Sequence, residues 1–400
     1  MVFNRKERLQ ISKKIGKQKD KGKRLSNKNV NWRLVNLEKR KQREKQTIEE
    51  YEERKNNTNK DEEEHVEEDE QQHEKQQSDS NGVAIESQKS WYSLTVALPG
   101  TILDNVQTSE LKTYLSGELS RACAIFCVDE VVVFDETAQM SQRDVDAFRE
   151  WTGKEQTDAR SSESVFFMAR ILQFQECPQY LRKALFRIQR PLQFAAMLNP
   201  LNALHHLRSN ELSFPFREGV VLDRKSKKGR MLCDVGLDKD LVLTADEQLE
   251  PFTRVTVRIE QRQHSSKRLH GALANAQTVR AETGTHWGYS VRIAKSLSEV
   301  FANGVYDVVI GTSERGTPIS ELPIPRESNA SANCKILIVF GGLSGLEAAI
   351  DADPSIQGTK PVDYFQHYVN CLPGQGSRTI RTEEAIPIAL TALKCKLDWT

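Results

Sequence analysis

Residues 335–347, KILIVFGGLSGLE, form an apolar run that ends in glycines and leads into a helix-like segment. A continuous apolar run of this length is typical of a strand that is buried on both faces of a parallel sheet. The runs at residues 306–310 and 364–369 are also apolar strands that enter glycine-rich loops. Because ligands of open α/β sheets bind at the carboxyl ends of the strands, the three loops predict one ligand site.

The glycine loops do not match two common phosphate-binding motifs. None contains G-x-x-x-x-G-K-[ST], so a P-loop is unsupported. Gly341-Gly342-x-x-Gly345 differs from G-x-G-x-x-G, and no acid follows at the usual spacing, so a dinucleotide site is weakly supported. Each loop alone could be a tight turn, but three in succession favour a binding site.

The segment before these loops alternates between strands and helices. Residues 93–98 and 130–134 are apolar and predict buried strands, and residues 109–126 between them predict a helix. Residues 136–160 are polar and predict a loop. Residues 164–186 predict helix, broken at Cys177-Pro178, where proline can open a second helix. This order predicts an α/β sheet.

The pattern changes near Phe216. From there to about Arg292, short strands and turns follow one another, and residues 254–259 alternate with period two. An inserted β-barrel of about 70 residues explains the change. One turn carries five basic residues, which predict an RNA grip or, alternatively, an exposed turn that stays solvated: Arg224, Lys225, Lys227, Lys228 and Arg230.

The net charge of +1 hides a strong asymmetry at the N-terminal end. Residues 1–48 carry 17 Lys and Arg, whereas residues 49–80 carry 14 Asp and Glu. Charge blocks of this kind predict a disordered tail over residues 1–84. The basic stretch 13–24 is consistent with a nuclear or nucleolar address or an RNA arm, and equally with a solubilising tail.

The composition disfavours several classes of protein. No run of about 18 apolar residues is present, so no membrane span or membrane partner is expected. The N-terminus lacks the apolar region of a secretory signal. Seven scattered Cys residues match neither a disulfide framework nor a zinc pattern, which favours a reducing compartment and no bound metal.

Seven motifs in a fixed order carry a family resemblance. Over residues 91–394 the chain resembles the SPOUT superfamily of S-adenosylmethionine-dependent RNA methyltransferases, and in particular its eukaryotic members whose archaeal relatives carry an inserted OB-like barrel. The motifs are SLTVALPGTILDN (93–105), RACAIFCVDEVVVFD (121–135), ECPQYLRKALF (176–186), HWGYSVRIA (286–294), IGTSERG (310–316), VFGGLSGLE (339–347) and NCLPGQGSRTIRTEEA (370–385).

The resemblance implies a SPOUT trefoil-knot α/β fold with an inserted small OB-like β-barrel and a disordered charged tail. The tail is residues 1–84, the first part of the SPOUT domain is 85–215, the barrel is 216–290, and the part with the knot is 291–400. The resemblance also implies a homodimer formed through the knot.

The implied cofactor is S-adenosylmethionine, bound bent in the cleft made by the three loops. Glu347 is left with two roles, anchoring the cofactor ribose or capping its own helix. Cys371 beside the cofactor is disfavoured as a nucleophile, because no partnered His lies nearby in the sequence. The implied cofactor contacts are Thr312, Gly342, Leu343, Glu347, Asn370, Cys371, Gly374, Gln375, Gly376 and Ser377.

The implied substrate is N3 of a uridine in large-subunit (28S) ribosomal RNA. An Arg near the acceptor could stabilise the anion that forms when N3 loses its proton, and Arg292 is the first choice. Glu314 and Arg315 are further catalytic candidates, or an ion pair that shapes the first loop. The implied RNA contacts are Arg224, Lys227, Lys228, Arg378 and Arg381, although Arg381 could instead open a helix together with Glu383 and Glu384.

A second hypothesis is a non-catalytic RNA-binding scaffold that keeps the fold and associates with the mitotic spindle or centromere. The glycine loops are complete, which favours the enzyme. The expected location is the nucleus or nucleolus, with the cytoplasm and the spindle or centromere as further sites.

Several other residues allow a structural interpretation. Cys123 and Cys127 share one helix face and predict two core thiols rather than metal ligands. His205-His206 is expected in a loop, exposed or in contact with RNA. Trp287 and Tyr289 could stack on a base, and Trp287 could equally belong to the barrel core.

Overall fold

The structure, a computed structural model, describes most of the chain after residue 90. The described residues are 91–151, 160–186, 188–211, 213–226, 229–244, 248–260, 269–302, 304–323 and 334–398. They belong to one compact unit, residues 86–400. The predicted tail, residues 1–84, and the predicted RNA contacts Lys227 and Lys228 lie outside the described residues.

The described strands form one open sheet and one barrel. They are β1 (Tyr92–Pro99), β2 (Glu130–Phe134), β3 (Phe216–Lys225), β4 (Met231–Asp234), β5 (Leu241–Thr244), β6 (Arg254–Ile259), β7 (Leu269–Ala274), β8 (Ser290–Ala294), β9 (Val308–Pro318), β10 (Cys334–Val339) and β11 (His367–Asn370). The open sheet has the order β11-β9-β10-β1-β2-β8, and all its strands are parallel.

Helices cover both faces of the sheet. They are α1 (Ser109–Ile125), α2 (Gln142–Ala147), α3 (Arg160–Glu176), α4 (Gln179–Leu185), α5 (Ala276–Thr283), α6 (Gly345–Ala352), α7 (Pro361–Tyr364) and α8 (Thr382–Asp398). Val96 and Leu98 pack in one core with residues of α1, α3 and α8, whereas Ala97 faces a second core that includes α6. β1, β2 and β10 are apolar along most of their length because both faces of the sheet are buried there, whereas β8 and β9 carry polar residues.

None of the described helices is both long and apolar enough to span a membrane.

The barrel is a closed ring of five strands in the order β3-β4-β5-β7-β6. Its neighbouring strands are antiparallel except for β5 and β7, which are parallel. Val221, Leu241 and Val257 belong to a core of its own. The predicted combination of an α/β sheet with a small β-barrel is therefore confirmed, and the barrel lies between α4 and β8 in the chain.

Two local predictions were wrong in part. The segment 136–160 contains helix α2, because Ser141 and Asp144 form a capping box in which each side chain bonds the backbone N–H of the other. The strand predicted at 364–369 begins only at His367, since Pro361 opens the short helix α7 before it.

Candidate functional site

The three glycine loops line one cleft of ≈ 320 Å³ at the carboxyl edge of the sheet. Strands β11, β9 and β10 are neighbours in the sheet, so the loops near their carboxyl ends meet at this edge. Ten of the residues predicted from the sequence line this cleft: Thr312, Glu314, Arg315, Gly342, Leu343, Glu347, Asn370, Cys371, Gln375 and Arg381.

The first loop is a bulge within β9, whereas a strand that ended at residue 310 was expected. Gly311 pairs with Tyr368, and Thr317 then pairs with Val369, the next residue of β11. The five residues of β9 between these two positions project from the ladder as a loop. Thr312 Oγ1 donates a hydrogen bond of 3.1 Å to the Val339 carbonyl, which ties this loop to the end of β10.

The second loop rests on a buried carboxylate. Glu136 accepts hydrogen bonds from Thr101 Oγ1 at 2.5 Å and from the Gly342 N–H at 3.0 Å. Burial raises the pKa of Glu136 above its ordinary value. A Cβ atom on Gly342 would collide with this carboxylate, so only glycine allows the close approach.

The sequence interpretation missed Glu136, because it was assigned to a polar loop. Its signal was an acid that follows a buried strand by two residues, at the edge where the ligand loops were expected. Asn105, at the end of a short 3-10 helix after β1, also lines the cleft and was missed for the same reason.

The third loop is tied to both others. Asn370 Nδ2 donates a 2.9 Å hydrogen bond to the Glu314 carbonyl, and Thr382 Oγ1 donates one of 2.9 Å to the Gly341 carbonyl. The side-chain amide of Asn370 therefore shapes the loops. Burial raises the pKa of Cys371 to about 12, so its thiol stays protonated, which argues against a nucleophilic role.

An ion pair spans the first loop and helix α6. Arg315 Nη1 lies 3.2 Å from Glu347 Oε1, which also accepts a 3.1 Å hydrogen bond from the Tyr368 hydroxyl. The expected pairing of Arg315 with Glu314 is therefore wrong, since Arg315 pairs with Glu347. The carboxylate of Glu347 lies on the wall of the cleft rather than in a capping box with Ser344.

The structure does not bring Arg292 to the cleft. This residue lies within β8, opposite Val132 of β2. Its Nε donates to Glu130 Oε1 at 2.9 Å and its Nη2 to the Val300 carbonyl at 2.6 Å. The guanidinium is used in holding β8 to the sheet, so the structure provides no basis for the expected substrate contact.

The other predicted residues lie at the cleft rim or in the barrel. Four residues of the third loop are not part of the cleft wall: Gly374, Gly376, Ser377 and Arg378. Arg381 lines the cleft, and its backbone N–H donates to Glu384 at the start of α8. Arg224 lies in the barrel, where it forms an exposed ion pair of 2.8 Å with Asp240.

A second, larger cavity of ≈ 490 Å³ lies at the amino edge of the same sheet, against the barrel. Its wall includes a buried ionic cluster. Arg254 Nη1 and Nη2 lie 2.5 and 2.9 Å from the two oxygens of Glu176, and Arg254 Nε lies 2.6 Å from Glu218. Burial alone would raise the pKa of Glu176, but Arg254 and His205 outweigh it and lower the pKa to about 2.

The aromatic residues near this cluster are structural. Trp287 is buried, stacks on Phe214 and donates to Glu218 Oε1 at 2.6 Å. Tyr289 is also buried. His205 and His206 were expected in an exposed loop or on RNA, yet both direct Nε2 to the Glu176 carbonyl, at 2.8 and 2.7 Å. All four side chains are held by hydrogen bonds within the protein, and Trp287 and Tyr289 also line the amino-edge cavity.

Cys123 and Cys127 do not share a helix face as predicted, because α1 ends at Ile125 and Cys127 follows it with a φ of 54° and only partial burial. Cys123 is buried, and burial raises its pKa to about 12. Across the described ranges, no group of three or more His, Cys, Asp or Glu side chains is placed to hold a metal ion.

Comparison with known proteins identifies one matching family and three similar proteins. The model of a family described as "Putative RNA methyltransferase" matches residues 93–393. The 28S rRNA (uridine-N(3))-methyltransferase of Homo sapiens is 50% identical over 309 residues, 76% of this chain and 78% of that protein. The enzymes of the same name from Mus musculus and Drosophila melanogaster are 49% and 44% identical, over 76% and 80% of this chain and 76% and 65% of those proteins.

Proposed function

Because this chain belongs to the family of SPOUT-type RNA methyltransferases that matches residues 93–393, we propose that it transfers a methyl group from S-adenosylmethionine to N3 of a uridine in 28S ribosomal RNA. The observation that carries the proposal is the carboxyl-edge cleft, in which all three predicted loops meet. The family assigns methyl transfer to RNA, and the named relatives support the uridine acceptor.

The cleft fits an adenosyl cofactor in its chemistry. In the second loop the Gly342 N–H and the Gly341 and Gly342 carbonyls are already hydrogen-bonded within the protein. Recognition of an adenine edge would therefore rest on the backbone of Leu343 and Ser344, which also line the cleft. Glu347 on the cleft wall can accept hydrogen bonds from ribose hydroxyls. The hydrogen bond from the Gly342 N–H to Glu136 would fix the position of the second loop beside the cofactor. When bound, the cofactor supplies a sulfonium methyl group that reacts by in-line displacement.

The residues of the cleft would then align the acceptor with the methyl group and stabilise the negative charge that develops on the acceptor. A uridine N3 must lose its proton before or during attack, and a cation beside it stabilises the anion. Arg315 and Arg381 are the cleft-lining cations in the described residues, and the Arg315 side chain is 72% exposed and so can reach a substrate. Arg315, already a catalytic candidate from the sequence, therefore takes the role first expected of Arg292, and Arg381 is an RNA contact.

The finer features of the fold are also proposals. The bond from Thr382 to the Gly341 carbonyl brings the chain after β11 back to the loop after β10, which supports a trefoil knot. Five strands closed with one parallel pair support an OB-like barrel. A homodimer, a nuclear or nucleolar location and a spindle or centromere association remain proposals, and light scattering and imaging of the tagged chain would test them.

Calorimetric titration of the full chain with S-adenosylmethionine and S-adenosylhomocysteine tests the cofactor site. Saturable binding of about one ligand per chain is expected. Mass spectrometry of nucleosides from 28S rRNA incubated with the protein should then show 3-methyluridine. If a folded chain bound RNA but neither S-adenosylmethionine nor S-adenosylhomocysteine, the methyltransferase proposal would be wrong. The hypothesis of a non-catalytic RNA-binding scaffold would then be favoured.

A further inference from the structure

The turn at residues 248–253, between strands β5 and β6 of the barrel, presents an exposed aromatic ring. The Phe252 side chain is 57% exposed, and its backbone has a φ of 65°. An L-residue with a bulky side chain rarely adopts this left-handed conformation, and glycine would adopt it freely. Both the exposure of the apolar ring and the left-handed backbone destabilise the folded chain. Strained residues of this kind cluster at functional sites.

The backbone around this ring is held rigidly. The Phe252 N–H donates to the Val221 carbonyl at 2.8 Å, and the Leu249 N–H donates to Met231 Sδ at 3.2 Å. Two residues further along, Arg254 is fixed in the buried cluster with Glu176 and Glu218. The backbone that carries the ring is therefore fixed, and only the side chain would have to be ordered when a ligand binds.

The same contacts bring the turn beside the basic hairpin that joins β3 to β4. Lys225 pairs in register with Met231, the residue that Leu249 contacts, and Arg230 precedes it. Both cations are exposed, and neither forms an ion pair with any residue that the structure describes. In the turn itself, the Glu250 carboxylate lies 3.9 Å from Arg149.

An exposed ring on a turn that contacts a hairpin with exposed cations matches the chemistry of single-stranded nucleic acid. The cations follow the phosphates, and the ring stacks on a base. A duplex does not offer the faces of its bases for stacking. We propose that Phe252 is a base-stacking residue that, with Lys225 and Arg230, binds a single-stranded segment of the RNA substrate. The identity of that RNA rests on the proposed function, whereas the stacking site does not depend on methyl transfer.

Fluorescence anisotropy of the full chain with a labelled single-stranded oligouridylate of about 12 nucleotides tests this site. Phe252→Ala should weaken binding about five- to 100-fold, the range that loss of one stacked base produces. Phe252→Tyr should bind like the unaltered chain. Lys225→Ala and Arg230→Ala should each flatten the salt dependence of binding, whereas Phe252→Ala should leave that slope unchanged.

Phe252→Gly separates loss of the ring from loss of the fold. Glycine removes the backbone strain, so the thermal midpoint should stay equal or rise while RNA affinity falls as in Phe252→Ala. Leu273→Ala is the matched control, because Leu273 is an exposed apolar residue (40%) elsewhere on the barrel. Its RNA affinity should not change.

Two outcomes would overturn the stacking site: unchanged oligouridylate affinity in Phe252→Ala, or an RNA duplex of equal length that binds as well and loses as much in that variant. Calorimetry with S-adenosylmethionine keeps the two proposals apart. Absence of cofactor binding by the unaltered chain would refute the methyltransferase proposal. The conclusion from anisotropy about base stacking by Phe252 would not be affected.

Discussion

The two edges of the parallel sheet use the same kinds of residue in opposite ways. At the carboxyl edge, the Arg315–Glu347 pair is open to water, with side chains 72% and 32% exposed. At the amino edge, Arg254 holds Glu176 and Glu218, which are only 6% and 4% exposed. We call the carboxyl edge the open edge, because its ion pair is exposed and available to a ligand. We call the amino edge the closed edge, because its carboxylates are buried and fix the barrel to the sheet through Arg254, although they line a larger cavity.

The buried cluster should give the largest effect on stability. Glu176→Ala leaves Arg254 with one carboxylate instead of two, and breaking a buried ion pair costs about 3 kcal/mol. Urea unfolding followed by circular dichroism measures the free energy of unfolding. Glu347→Ala, the matched change at the open edge, should cost about 1 kcal/mol or less. Equal losses in the two variants would remove the distinction between the edges.

The open edge should give the largest effect on cofactor binding. Gly342→Arg places a side chain against the Glu136 carboxylate and fills the cleft. We expect affinity for S-adenosylmethionine to fall at least about 100-fold, near 2.7 kcal/mol, in a chain that keeps its circular dichroism spectrum.

The control for this variant is the same change at the other edge. Gly304 lines the amino-edge cavity and has open space around its Cα, so Gly304→Arg should leave cofactor affinity unchanged. Unchanged affinity in Gly342→Arg would show that the cofactor binds elsewhere.

The two edges should respond to pH with opposite signs. The pKa of Glu176 is lowered from 4.5 to about 2, so its contribution to stability is present above pH 4.5 and is lost as the pH falls towards 2. The pKa of Glu136 is raised, so its contribution is present at low pH and is lost as the pH rises through its folded pKa. Each effect is at most about 1.4 kcal/mol per pH unit.

Denaturant unfolding between pH 3 and 7 checks these signs. Glu176→Gln should weaken the loss of stability as the pH falls, and Glu136→Gln should weaken the loss of stability as the pH rises. In the second variant the amide can still accept from Gly342 and donate to Thr101, so the loop contacts are kept. The same pH profile in both variants would contradict the assignment.

The smallest effect on stability is expected from Arg315→Ala. Its ion pair is exposed, so the free energy of unfolding should change by less than about 1 kcal/mol. The rate of RNA methylation should fall instead, because Arg315 is the proposed cation beside the acceptor. Arg258→Ala removes a comparable exposed pair with Glu282 and should leave cofactor binding unaltered. A stable Arg315→Ala variant with normal methylation would exclude the catalytic role.

The sequence predicted the open edge better than the closed one. Apolar runs marked the strands, and glycines marked the loops that follow them, because both signals are local. The capping box at Ser141 was also local, but it was overlooked within a polar segment.

Contacts between distant parts of the chain could not be predicted in this way. Arg292 was assigned to the active site from its motif, but its partner Glu130 lies 162 positions away. The cluster of Glu176 with Arg254 joins residues 78 positions apart. Such pairs depend on strand order and on the placement of the barrel, which no periodicity reveals.

The central position of β10 has a consequence for biosynthesis. This strand pairs with β1, in register from Tyr92↔Cys334 to Ala97↔Val339. At ordinary translation rates the ribosome needs about 10–50 s to make the chain between them. During that time one side of β1 offers unpaired N–H and C=O groups along an apolar strand, which is a template for association with other chains. The part of the chain made before residue 334 is therefore expected to depend on chaperones until residues 334–339 emerge.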